Sequence, residues 1–378
     1  MGIVNFRNPG RIWRVYGKSL LHYSTPRKVL NALRTEYAYR RRLANVKSAP
    51  YILFLEPLYY CNLACPFCDR QVFPEARKHS AGKLSMALYD RILDEIGDYL
   101  FQCQIFGQGE PMLDWPLSRK IIEKTHQRGI FTLLSTNCTL ITPTIAQEVV
   151  QCGLDHLICA IDGMSQESYA MYRVGGVWEE AIEGLARILY ERRKCKSRTE
   201  VEWQFLVHGH NQHEVQEAKR LARKLGVFIR FAPLRGMEFN GELQKYWKTE
   251  GLHRDVEEGH FLHTWPCYFL WRSLVLNSNA QVARCLVYQN VAEYADLGIM
   301  SVLDAYNHPT VQRARQLFSC GPVPPGEFPV PCNTCSFYQR ERGGPLQDKP
   351  ASLGLSLHIL PDGGLAATDN EVVGATYK

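Results

Sequence analysis

Cys61-Asn62-Leu63-Ala64-Cys65-Pro66-Phe67-Cys68 places three thiols within eight residues, directly after the apolar run Tyr51–Leu58. The cysteines are separated by three and then two residues. Thiols this close aim several sulfurs at one centre, as a soft-metal or iron–sulfur site requires. No fourth cysteine or histidine follows locally, so a cluster held at three corners keeps one iron open to a ligand from outside the protein. Three buried cysteines, or part of a zinc site, are the alternatives; zinc normally closes with four ligands.

The Cys-x₃-Cys-x₂-Cys motif, with Phe67 before its last cysteine, resembles that of the radical S-adenosylmethionine (SAM) enzymes. The resemblance implies that Cys61, Cys65 and Cys68 hold a [4Fe–4S] cluster whose open iron binds the methionyl amine and carboxylate of SAM. It further implies reductive cleavage of SAM to a 5′-deoxyadenosyl radical, which abstracts hydrogen from a substrate. A low-potential donor such as flavodoxin or ferredoxin would supply the electron. The protein positions and shields chemistry that belongs to the cofactor, and Phe67 is expected near the adenine.

From Tyr51 to Leu234 strands alternate with helices. Tyr51–Leu58, Gln102–Gly107, Ile130–Thr136, His156–Asp162, Glu200–His208 and Val227–Leu234 read as strands. Ser85 and Thr142-Pro143 supply helix start signals between them. Such alternation implies parallel βα units. The expected fold class is therefore α/β: residues 51–235 resemble the partial (β/α)₆ barrel of radical SAM enzymes, with the chemistry on loops after the strands. A basic helical segment (1–50) precedes it, and a linker (236–264), a small iron–sulfur domain (265–340) and a partly disordered tail (341–378) follow.

The loops carry further resemblances. Gly107-Gln108-Gly109-Glu110-Pro111 is similar to the family's Gly-Glu-Pro segment, which implies that Gly109 and Glu110 meet the cofactor's amino group. Glycine admits a close backbone approach, and a carboxylate accepts from an ammonium. Ser135 and Asn137, at the end of the third strand, either contact the ribose or serve turn chemistry. Ile161-Asp162-Gly163 with Tyr169, Arg173 and Gly175-Gly176 resembles the segment that delivers an arginine, here Arg173, to the cofactor carboxylate. Ala160 stands where many relatives have serine, so that hydrogen bond has no counterpart here.

A second cysteine set, Cys267-x₁₇-Cys285-x₄₆-Cys332-x₂-Cys335, offers four soft ligands. It resembles the twitch form of the SPASM/twitch extension, which houses one auxiliary [4Fe–4S] cluster; a zinc ribbon is the alternative. Cys320 is a substitute ligand. Arg272–Asn277 and Gln281–Cys285 are expected to pair as a hairpin, with Asn279 taking the left-handed position where relatives have glycine. Cys103, Cys138, Cys152, Cys159 and Cys195 read as small hydrophobes within the barrel.

The chain has 378 residues, 46% apolar and 22% charged, a composition of soluble globular proteins. It has no run of roughly 18 apolar residues that would cross a membrane, and no long apolar stretch at its start, so a cytoplasmic setting is expected. The first 50 residues carry eleven Lys and Arg against one acid, Glu36, so the net charge of +6 is an N-terminal feature. That distribution excludes a globally basic nucleic-acid binder. Pro26–Val46 reads as a helix with Val29, Leu30, Leu33 and Tyr37 on one side. The expectation is a helix that caps the barrel and leaves its arginines solvated; peripheral contact with an anionic membrane is the alternative.

The leading functional expectation is a radical SAM oxidoreductase acting on a small polar metabolite, such as dehydrogenation of a sugar or cyclitol. Modification of a ribosomally made peptide, epimerisation, and a non-enzymatic iron–sulfur protein are the other readings. His208, His210, Arg235, Glu238 and His263 are available toward the substrate, without an assigned catalytic role.

Overall fold

The computed structural model describes residues 17–72, 82–234, 266–283 and 293–320 and the backbone of 355–359 and 365–369. It also describes Trp13, Trp247, Thr249, Cys285, Cys332, Cys335 and Tyr338 singly. Arg235, Glu238 and His263, and the side chain of Cys320, lie outside the described residues.

Helices α1 (Lys18–Tyr23) and α2 (Pro26–Arg41) precede the first strand. Strands β1 (Ile52–Leu55), β2 (Gln102–Ile105), β3 (Phe131–Thr136), β4 (His156–Ala160), β5 (Glu200–Val207) and β6 (Phe228–Pro233) then run parallel, neighbours in chain order. Each lies inside the stretch its apolar pattern marks out. Between them come α3 (Met86–Ile96), α4 (Trp115–Gln127), α5 (Pro143–Gln151), α6 (Gln166–Tyr172), α7 (Trp178–Lys194) and α8 (Val215–Leu225). Helix α3 buries Tyr89, Ile92, Leu93 and Ile96, one stripe at helical spacing, in the core that also holds Leu53, Leu55, Cys103 and Ile105.

Start signals behave unequally. Thr142 accepts a 3.2 Å hydrogen bond from the Ile145 amide, closing the first turn of α5, a cap that contributes about 1 kcal/mol. Ser85 makes no such bond, and α3 forms on its apolar stripe instead.

The C-terminal block is joined to the barrel. Strand β7 (Ser273–Leu276) pairs in parallel with β1, while β8 (Gln281–Ala283) and β9 (Glu293–Asp296) continue antiparallel. The result is one nine-stranded sheet, β6-β5-β4-β3-β2-β1-β7-β8-β9. The hairpin was legible from its apolar alternation. Its attachment was not, because a free sheet edge is a tertiary property. In the tail expected to be partly disordered, β10 (Leu355–Ile359) and β11 (Leu365–Asp369) form a separate antiparallel hairpin. Leu355, Leu357 and Ile359 alternate with polar residues ahead of Pro361-Asp362-Gly363-Gly364, a strand-and-turn signal.

Helix α2 caps the barrel with an unexpected face. Lys28, Asn31, Thr35, Ala38 and Tyr39 are its buried residues. Asn31 exchanges two hydrogen bonds with Ala49, at 2.9 and 3.0 Å, and Glu36 holds Arg272 through two at 2.6 and 2.7 Å. The exposed Arg27–Asp98 pair adds at most about 1 kcal/mol. Attachment therefore rests on the buried polar contacts. The apolar stripe faces out.

The left-handed residue of the β7–β8 turn is Ala280, at φ 70°, rather than Asn279. The Asn279 side chain accepts from the Gln281 amide at 3.1 Å and keeps its residue out of that region. An alanine there carries a steric cost of about 1–2 kcal/mol that glycine avoids. Ala280→Gly is expected to stabilise the protein by about 1 kcal/mol, net of the greater freedom of glycine in the unfolded chain. Thermal unfolding followed by circular dichroism checks this; a lowered midpoint would mean the turn is unstrained.

Candidate active site

The three-cysteine loop follows β1 and is held by three of its neighbours. On the β2 side, the Glu110 amide donates to the Tyr60 carbonyl at 2.8 Å. On the β3 side, Asn62 accepts from Asn137 Nδ2 and donates to Thr139 Oγ1, both at 2.9 Å. On the β4 side, the Ala64 amide donates to the Val174 carbonyl at 2.9 Å. Irregular backbone is thus satisfied by βα loops rather than by a regular ladder.

Gly109 explains how the β2 loop comes so close. A Cβ built there would lie 1.9 Å from the Leu58 carbonyl oxygen and 2.9 Å from that of Tyr60. Glu110 is fully buried and accepts from the Met112 amide (3.0 Å), Thr136 Oγ1 (2.7 Å) and the Asn137 amide (2.8 Å). Burial pushes its carboxyl above the ordinary range, opposed by these hydrogen bonds. A carboxylate has about four lone-pair sites, so one remains for an external ammonium.

Arg173 follows α6 and reaches back. Its Nε and Nη2 both lie 2.6 Å from Asp162 Oδ2, and Nη1 lies 3.7 Å from Cys65 Sγ. Asp162 is buried and takes the Leu206 amide on Oδ1 at 2.6 Å, which locks the pair. Of five guanidinium N–H groups, two remain for a carboxylate. Asp162, which the sequence reading left without a role, is what orients Arg173; its signal was its place in the Ile161-Asp162-Gly163 segment.

Ser135 and Asn137 separate. Asn137 is buried, and its Oδ1 accepts from the Thr139 amide and hydroxyl at 3.0 and 2.8 Å. That is the turn-chemistry alternative. Ser135 is half-buried, and its hydroxyl makes no hydrogen bond among the described residues.

Phe67 packs edge-on against Trp247, with ring centroids 5.4 Å apart. Trp247 lies in the stretch expected to be a linker, yet it is 1% exposed. It also contacts Tyr172, His208 and His210, and its carbonyl accepts from the Gly209 amide at 2.9 Å. The sequence reading missed it; an aromatic pair, Tyr246-Trp247, within a polar stretch was the available sign. His208, at the end of β5, is fully buried with Nε2 unpartnered. Burial and the adjacent His210 drive its pKa down to about 3, so the ring stays neutral.

The second cysteine set also converges. Burial pushes the Cys267 thiol well up, and Cys332, Cys285 and Cys335 push it further, as neighbouring sulfurs would. Among the described residues no three His, Cys, Asp or Glu side chains group tightly enough for a single metal ion. Four thiol donors are the ligand set of an iron–sulfur cluster, each sulfur on its own iron.

Cys103, Cys138, Cys152 and Cys159 are buried, as small hydrophobes should be. Burial takes the Cys103 thiol to about 12, which leaves it inert. Cys195 is only half-buried, at the end of α7.

Residues 55–222 match the family model of the radical SAM superfamily. Over those residues the chain is similar to the radical SAM superfamily. It is 28% identical over 168 residues to pre-heme d1 synthase of Dinoroseobacter shibae, which spans 44% of this chain and 39% of that protein. It is 27% identical over 181 residues to the PqqA peptide cyclase of Ruegeria pomeroyi, 47% of this chain and 46% of that one. The chain thus spans less than half the length of these two relatives. Among solved structures, Streptococcus suis SuiB bound to precursor peptide SuiA superposes with a TM-score of 0.56 at 13% identity, over 75% of this chain and 70% of SuiB. That likeness is one of fold. The radical SAM family binds a [4Fe–4S] cluster and SAM, and no helix among the described residues is long and apolar enough to cross a membrane.

Two outcomes are expected. Gly109→Ala forces the Leu58 and Tyr60 carbonyls apart and should cost about 1–3 kcal/mol, read as a lower urea midpoint; an unchanged midpoint would show that the contact yields freely. His208, with a folded pKa below its unfolded 6.5, binds its proton more readily when unfolded, so its burial is harmless above pH 6.5 and destabilising below. Between pH 7 and 5 that term takes away about 2 kcal/mol. His208→Gln should flatten this part of the stability profile; an equally steep profile would place the acid sensitivity elsewhere.

Proposed function

We propose that this protein is a radical SAM enzyme that modifies a ribosomally made peptide. The observation that carries the enzymatic reading is the cysteine loop pinned by three βα loops, with the Arg173 guanidinium 3.7 Å from Cys65 Sγ. An electron carrier has no use for three thiols with an open corner and a carboxylate-binding cation beside them.

Cys61, Cys65 and Cys68 would hold the first cluster, and Cys267, Cys285, Cys332 and Cys335 an auxiliary one. When bound, the first cluster and SAM supply a 5′-deoxyadenosyl radical that takes hydrogen from carbon. Arg173, steadied by Asp162, offers its remaining N–H groups to the methionyl carboxylate. Glu110 offers its remaining lone pair to the ammonium, and Gly109 lets the backbone come close. Ser135 presents a free hydroxyl toward the ribose, whereas Asn137 keeps the cysteine loop in place. Phe67 and Trp247 form an aromatic wall that excludes water beside the thiols. His208 presents a neutral imidazole there; its Nδ1 accepts from the His210 amide at 3.3 Å, which leaves Nε2–H to donate one hydrogen bond without carrying charge. The electron comes from a low-potential donor of the flavodoxin or ferredoxin kind.

The peptide substrate is supported by the PqqA peptide cyclase among the relatives. The sugar or cyclitol dehydrogenation expected from the cysteine sets has no such support among the relatives named.

The reduced, reconstituted protein is expected to release 5′-deoxyadenosine. Replacing any one of Cys61, Cys65 and Cys68 by alanine should abolish that release. Replacing Cys332 and Cys335 together should remove one cluster's share of iron and leave the release intact, given an unchanged circular dichroism spectrum. With extract from a deuterated host, the peptide fraction should transfer deuterium to 5′-deoxyadenosine and lose that capacity on protease digestion. Transfer from the small-metabolite fraction alone would sink the peptide reading.

A further inference from the structure

Helix α2 turns toward solvent the side that an amphipathic helix ordinarily buries. Val29, Leu30, Leu33 and Tyr37 are 43%, 49%, 63% and 62% exposed. At about 100° per residue they lie opposite the buried set Lys28, Asn31, Thr35, Ala38 and Tyr39. Helix α1 adds Leu20 and Leu21, and Leu43 follows α2, all exposed. Large exposed apolar side chains are scattered singly over most protein surfaces, but a contiguous group marks a contact face.

The charge beside this stripe is mainly positive; the exposed Asp98 is paired with Arg27. Arg34, Arg40, Arg41 and Arg42 are exposed, the first on the stripe's border and the others at the end of the helix. The one acid in the first 50 residues, Glu36, is withdrawn from that surface by its two hydrogen bonds to Arg272 and a third, at 2.7 Å, from the Tyr51 hydroxyl. Lys28 is turned inward as well, donating to the Gly129 carbonyl. An apolar stripe bordered by arginines, with the helix's own carboxylate neutralised from below and Asp98 paired with Arg27, is complementary to a surface that is apolar beneath and negative on top.

We propose that α1 and α2 dock this protein on an anionic lipid surface, with Leu30, Leu33 and Tyr37 entering the interface and Arg34 and Arg40–Arg42 meeting phosphate headgroups. The fold makes the orientation useful. The same two helices touch Ala49, Asp98, Gly129 and Asp155, which precede β1, β2, β3 and β4 respectively. The cysteine loop and its neighbours leave the opposite ends of those strands. Docking through α2 would therefore hold the reactive mouth away from the lipid, open to a substrate arriving from solution. No rearrangement is required, because the buried polar face already fixes the helix.

The test is co-sedimentation of the full reconstituted protein with vesicles of phosphatidylcholine alone and of phosphatidylcholine with phosphatidylserine, at low and high salt. Binding is expected on the anionic vesicles only, weakening by about tenfold at high salt. Leu30→Asp with Leu33→Asp, and separately Arg40, Arg41 and Arg42→Ser, should each weaken it by at least about tenfold. These positions are exposed, so circular dichroism and 5′-deoxyadenosine release should match the parent protein. Absence of vesicle binding by the parent, or equal binding by both variants, overturns the proposal. So does a concentration-dependent dimer that the two leucine substitutions abolish, which would assign the stripe to a second copy of this chain.

Discussion

The site depends on one close approach: the backbone of Gly109 lies against the carbonyls of Leu58 and Tyr60. Neither carbonyl can retreat far, since Leu58 leaves the end of β1 and Tyr60 leads into Cys61. The contact brings the Glu110 amide onto Tyr60 and sinks the Glu110 carboxylate among donors from its own loop and from the end of β3. The cysteine loop has no regular secondary structure to define it. Its geometry is inherited from the loops it touches, and those loops are placed by a sheet whose central strands are buried on both faces.

A second buried carboxylate extends this frame to the C-terminal block. Glu56, just past β1, accepts from the Gln108 amide at 2.9 Å and from the Ser278 hydroxyl at 3.0 Å. Burial raises its pKa to about 7, against the pull of those hydrogen bonds. It thus joins the β2 loop to the β7–β8 turn, at the point where β7 adds itself to β1. Strands β7 and β8, which lie between Cys267 and Cys285 in the chain, are consequently part of the same sheet that carries the three-cysteine loop.

Much of this was legible in the chain. The six parallel strands announce themselves as apolar runs between helical stretches, because burial on both faces leaves that composition. The three-cysteine motif and the Gly-Glu-Pro and Arg173 segments fall on successive βα loops, where such sheets gather their chemistry. The helix α2 stripe was equally plain, yet its direction was not, because periodicity reports that a helix has two faces and not which one the protein covers. Here Asn31, Glu36 and Tyr39 found buried partners in Ala49, Arg272 and Pro266. Those bonds outweighed the gain from burying four apolar side chains. Trp247 escaped notice for a related reason: an aromatic pair in a polar stretch has no periodicity to betray it, and the partners of Trp247 come from the cysteine loop, the end of α6 and the loop after β5.

By itself the sequence determined the class of chemistry and the α/β alternation, since both are written in local spacing: thiols three and four residues apart, short apolar runs, and helical stripes at a period of 3.6. Tertiary structure alone decided what those elements face. It set Arg173 between Asp162 and Cys65, tied Asn137 to Asn62, welded β7 to β1, and turned the leucines of α2 outward. Each of these joins residues far apart in the chain, and such a contact is settled by which of several partners best satisfies a buried polar group. No local pattern carries that comparison.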